Sequence, residues 1–216
     1  EIQGADDRLS DGESDGATSA LSRALAFAAA AGLEGRVGSK IQRKLGRAHQ
    51  LAGRYAEATV CYRDALDRLP ADDRYRSVLL GDLALTTLGV RGTLDLLPQD
   101  GPRPGSDDAE RLLTEGGAAG SGGEGESYNA IYTLGVLAYE RADFVKAADR
   151  FREADRLMRE TRAKARIVHA RSRFFLGASL VRGGATGETL AEAVGYLKRD
   201  GSAAALDASV KQPILD

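Results

Sequence analysis

The residues through which this 216-residue chain could do chemistry are few: His49, His169, Cys61 and a glycine run at 116–127. Two histidines could ligate a metal or serve a nucleophile as general base. These lie 120 residues apart, without an HExxH or similar spacing, and no motif places a Ser or Cys nucleophile beside either. Both read as structural, His49 at a packing position. A single cysteine excludes an intramolecular disulfide and any multi-cysteine zinc site, and its place next to Tyr62 fits a small buried side chain. The GSGGEG run superficially suggests a phosphate-cradling loop. Such a loop follows a strand and ends in Gly-Lys-Ser/Thr, whereas here no lysine follows and the next element is helical. The carboxylates show no paired-acid spacing. The expectation is no metal, no cofactor and no catalytic residue: a non-enzyme.

Charge narrows the partners. The 30 basic and 32 acidic residues give a net charge of −2, which argues against a general nucleic-acid binder. The distribution is uneven, however. Residues 1–16 carry six acids and one arginine and read as an acidic disordered tail. Residues 141–173 carry eleven bases and five acids. Within them Asp155/Arg159 and Arg152/Arg156 lie one helical turn apart, so like and opposite charges mix on a solvated face. An RNA-binding surface would want exposed aromatics among those bases, and here the aromatics take core positions.

The elements that must position these residues are helices. Alanine occurs 36 times and leucine 27 times, against 10 valines and 5 isoleucines, a balance that favours helix over strand. A hydrophobic share of 43% suffices for a core, and no run of 18 apolar residues could span a membrane. Breaks fall at LPQDGPRPGS, residues 97–106, and at GGAAGSGGEGES, residues 116–127.

The chain also repeats itself. Leu45-Gly46, Gly53, Tyr55, Ala58, Tyr62, Ala65 and Pro70 recur as Leu134-Gly135, Ala142, Phe144, Ala147, Phe151 and Ala154, in register and without a gap, with the proline lost. This pattern resembles the tetratricopeptide repeat, a helix-turn-helix unit of 34 residues. Looser copies open at Leu80-Gly81 and Leu176-Gly177, and residues 20–35 look like the second helix of a preceding repeat. The resemblance implies an all-α fold, a right-handed α-solenoid spanning 17–211. A flexible insertion at about 92–127 is expected to leave the stack on its outside. Gly46, Gly135, Ala58 and Ala147 would allow close helix approach, and Tyr62 and Phe151 would fill the space between neighbouring repeats.

In the family, the first helix of each repeat lines a concave groove through its positions 2, 5, 9 and 12. Carried onto this sequence, the groove residues are Arg43, Arg47 and Gln50, then Asp82, then Asn129, Tyr132, Val136 and Tyr139, then Arg171 and Phe174. The implied function is protein-protein interaction: a peptide or partner domain with an acidic and an apolar part. The carboxylate clamp by which some family members hold chaperone tails is absent, since Arg47, Leu79, Tyr132, Val136 and Phe175 stand at its polar positions. Alternatives are a regulatory or sensor domain of a larger bacterial signalling or transcription-regulating protein, and an RNA-binding solenoid using residues 141–173. The expected compartment is the cytoplasm, with a signal segment removed ahead of Glu1 as the alternative. The oligomeric state is not legible.

Overall fold

The computed structural model describes residues 14–120, 128–160 and 166–200, and the acidic segment 1–16 falls outside these up to position 13. Nine α-helices and no strand occur among the described residues: α1 (Ser14–Ala30), α2 (Arg36–Leu51), α3 (Tyr55–Asp67), α4 (Tyr75–Thr87), α5 (Ser106–Gly120), α6 (Tyr128–Glu140), α7 (Phe144–Glu160), α8 (Arg166–Arg182) and α9 (Gly187–Asp200). They form two compact units. Glu1–Asp95 with Pro104–Glu126 holds α1 to α5, and Leu96–Arg103 with Ser127–Asp216 holds α6 to α9. In each unit every helix packs on the next in sequence.

Helix ends follow local chemistry. After α2 the chain turns at Gly53, whose φ of 75° is cheap only for glycine. The Gly53 and Arg54 amides donate back to the carbonyls of Gln50 and His49, which satisfies the last turn of the helix. After α6 the same turn is made by Ala142 at φ 59°, with the Ala142 and Asp143 amides donating to Tyr139 and Ala138. The Asp143 carboxylate then accepts from the Lys146 amide at 3.1 Å and caps α7.

Packing explains the repeat. A Cβ on Gly46 would lie 2.8 Å from Tyr62 Cε1, and one on Gly135 would lie 2.9 Å from Phe151 Cε1. The two rings, both fully buried, press on the glycine of their own helix pair. Ala58 and Ala147 are likewise fully buried. The pair α4–α5 departs from this plan. No heavy atom comes within 4 Å of a Cβ on Gly81, and the close approach is made by Gly116 of α5 against Leu80 and Ser77. The helix α1 closes one side of its unit, joining Ala17, Ala20, Leu21, Ala24 and Ala28 to Ile41, Leu45 and Ala48 of α2 and Cys61 of α3.

Much of 92–127 is ordered helix or packed chain. Thr93–Asp95 form a 3-10 turn, and α5 carries the buried Ala109 and Leu113. Residues 121–127 lie outside the described residues. Val90 and Arg91 lie against α2 through their carbonyls, and residues 96–103 pack on α6. The side chains of those two helices carry polar groups that main-chain atoms of these segments satisfy.

Candidate interaction surface

On α2, Arg43 Nε donates to Asp82 Oδ2 of α4 at 2.5 Å, and Arg43 Nη1 donates to the Tyr75 hydroxyl at 3.4 Å. The Arg43 guanidinium also lies 5.8 Å from the Tyr75 ring centroid. Burial alone would lower the pKa of Arg43, but the charge and hydrogen bond of Asp82 outweigh it and raise it. Beside this cluster Val78 is 39% exposed, and Lys40 is exposed one turn before Arg43. Behind them Leu79, Leu80 and Leu83 are buried and hold α4 in place.

The remaining sequence-derived positions of this unit turn inward. Arg47 is half-buried and donates to the Arg91 carbonyl and, at 3.5 Å, to Gln50 Oε1. Gln50 is fully buried. Its Nε2 donates to the Val90 carbonyl at 2.8 Å, and its Oε1 accepts from the Tyr62 hydroxyl at 2.8 Å. An amide spent on both sides inside the unit offers nothing to a partner, so Gln50 is a core node rather than a groove residue.

Four positions of the second unit are covered as well, which corrects the expectation that they line an open groove. Tyr132, Val136, Tyr139 and Phe174 are exposed by 5% or less. The Tyr132 ring packs on Tyr128 and Phe151, at 5.8 and 5.6 Å between centroids. The Tyr139 ring packs on Phe144 and Phe175, at 5.3 and 6.2 Å, under the Arg182 guanidinium. Phe174 meets Phe175 edge-on at 5.4 Å. Counting positions along a helix identifies a stripe but not what lies over it. Of the ten residues, Arg43 and Asp82 come together in the first unit, while Asn129 is exposed and Arg171 half-buried in the second.

Residues that suggested chemistry are engaged structurally. Arg54 Nε donates to His49 Nδ1 at 3.0 Å, and the His49 pKa is lowered by burial and by the Arg54 charge. His169 Nε2 lies 2.6 Å from Oδ1 of the buried Asp155, which also pairs with Arg159. Burial, aided by the Asp64 charge, pushes the Cys61 thiol up to about 11 and away from the reactive thiolate. Among the described residues no three His, Cys, Asp or Glu converge where a metal could bind. On α7, Arg152 pairs with Asp149, and Arg156 with Glu153 and Glu160, so these arginines are matched on their own helix. No helix of the described residues is long and apolar enough to cross a membrane.

The position counting missed Glu140. It is the one charged residue of the helix YNAIYTLGVLAYE, and its side chain is fully buried. A lone acid closing an apolar helix was the available signal.

Comparison with solved structures agrees with the geometry. No family model and no curated protein matches the sequence. The chain is similar in structure to TPR-like repeats of a Podosopora anserina protein described as a kinesin light chain with nearly identical repeats. The match covers 94% of this chain and 92% of that one, with a TM-score of 0.63 and 16% identity. A form of the same repeats carrying a single substitution matches with the same coverage, a TM-score of 0.65 and 15% identity. The fold is therefore that of TPR-like helical repeats, as the sequence pattern indicated.

Proposed function

We propose that the chain is a non-enzymatic protein-interaction module, and that the α2–α4 face of its first unit receives a peptide or partner domain. The observation that supports this is the exposed Val78 beside the Tyr75 ring and the Arg43–Asp82 pair. A tyrosine and an arginine are residue types that often dominate interface energy, and here they stand beside an exposed apolar side chain on helices fixed from behind. Lys40 adds a cation at its edge. A partner with one apolar anchor and a neighbouring acidic residue fits these groups. Asn129 and Arg171 are the accessible members of the stripe in the second unit and are candidate contacts there. The fold alone assigns no partner, since one fold serves many functions.

The test is affinity capture with the wild-type chain in parallel with Val78→Asp and Lys40→Glu, both surface changes. A partner that binds wild type and loses about tenfold or more in affinity to Val78→Asp, at an unchanged melting temperature, supports the surface. Equal binding to the wild type and both variants overturns it. Retention of RNA with a steep loss on added salt would replace the reading altogether.

A further inference from the structure

Residues 96–103, LLPQDGPR, cross the face of α6 as irregular chain interrupted by two prolines. Three kinds of contact hold them. Leu96 is fully buried, and its carbonyl accepts from the Tyr132 hydroxyl at 3.2 Å. The Gln99 amide donates to Glu140 Oε1 at 3.3 Å. Arg103 Nε donates to both Glu140 oxygens, at 3.0 and 3.1 Å, and its Nη2 donates to Glu140 Oε1 and to the Leu97 carbonyl. The rest of the segment is open: Gln99, Asp100, Gly101 and Pro102 are exposed, and Asp100 meets Arg182 only at 3.6 Å.

This is the chemistry by which a helical surface holds an extended peptide. A hydroxyl takes a main-chain carbonyl, a carboxylate takes a main-chain amide, an apolar side chain is swallowed, and a charge pair fixes the register. The Glu140 carboxylate is the decisive group. Fully removed from water, it needs a cation in contact, and a guanidinium held by two parallel bonds is the best match. If Arg103 left, the carboxylate would take another arginine in preference to standing bare.

We propose that the Tyr132–Glu140 face of α6 is a recognition site for an extended peptide bearing an apolar residue and, seven positions on, an arginine. Residues 96–103 are its built-in occupant, and a partner of the same chemistry enters by displacing them. The site is separate from the Val78 surface, so each can fail without the other.

The probe is the synthetic peptide LLPQDGPR, added to the full chain in which residues 96–103 are replaced by a Gly-Ser stretch of equal length. Fluorescence anisotropy should show saturable binding to this variant, at least about tenfold weaker binding to wild type, and at least a tenfold loss for the peptide with Arg103→Ala. No binding to the folded variant, equal binding to wild type, or equal binding of the alanine peptide would each overturn the proposal. Should the replacement fail to fold, hydrogen exchange on full-length Arg103→Ala decides the matter. Faster exchange confined to 96–103, with α6 and α7 still protected, supports a displaceable occupant, whereas unchanged exchange there, or loss of protection throughout α6, overturns it.

Discussion

The Phe151 ring lies over Gly135, with its Cε1 2.9 Å from the point a Cβ would occupy, and Tyr62 stands in the same relation to Gly46. Because both rings are fully buried, neither can yield to an added methyl. Gly135→Ala and Gly46→Ala should each cost about 1–2 kcal/mol, since overpacking exceeds the roughly 1 kcal/mol gained in helix propensity. Gly81→Ala supplies the contrast. It meets no atom within 4 Å and should stabilise by about 0.5–1 kcal/mol. Urea unfolding of the three variants checks the order, and equal effects at positions 81 and 135 would refute the packing.

Tyr139 separates a core role from a surface role. Its hydroxyl is buried without a hydrogen-bond partner, while its ring packs on Phe144 and Phe175. Tyr139→Phe should therefore leave stability within about 0.5 kcal/mol or raise it. Tyr139→Ala should cost about 3 kcal/mol or more through the cavity it leaves. A small loss for the alanine variant would return Tyr139 to the surface.

Ala142 occupies a left-handed position that its counterpart Gly53 fills without strain. Ala142→Gly relieves about 1–2 kcal/mol of backbone strain and gives back part of it as unfolded-chain entropy, for a net gain of about 0.5–1 kcal/mol. Gly53→Ala should cost about as much. Melting curves of the two variants should move in opposite directions.

His49 makes stability depend on pH. Folding lowers its pKa, through burial first and the Arg54 charge second, and Nδ1 must be unprotonated to accept from Arg54. The unfolded chain, with a histidine near the usual value of about 6.5, binds the proton first as pH falls. The contribution is thus complete above about pH 7 and is lost as pH falls toward the lowered value. The melting temperature of His49→Gln should run parallel to wild type above pH 7 and fall less steeply below it. Parallel curves throughout would show that His49 is not responsible.

The sequence made the helix pairs legible because their determinants are local and paired. A glycine under an aromatic sixteen residues on, at 46 and 62 and again at 135 and 151, needs no knowledge of the rest of the chain. The surface was less legible. Tyr132 and Tyr139 occupy groove positions by count, yet what covers them comes from elsewhere: Leu96 supplies the carbonyl that Tyr132 bonds, and α8 supplies Phe175 and Arg182 over Tyr139. A helical count carries no information on such cover. The Arg103–Glu140 pair is hidden for a similar reason, being 37 residues apart with one partner in a proline-rich stretch that reads as loop.

The Gln50–Tyr62 hydrogen bond has a bearing on how this chain could have been copied from itself. Laying Gly46 on Gly135 lays Gln50 on Tyr139 and Tyr62 on Phe151. In one copy the aromatic carries a hydroxyl and the partner helix carries the amide that accepts it, while in the other both have gone together. An exchange of single helices between copies would set a tyrosine where Gln50 stands. That would strip Tyr62 of its acceptor and the Val90 carbonyl of its donor. The unit of compatibility is therefore larger than a helix, because α2 and α3 are matched to each other through this one bond.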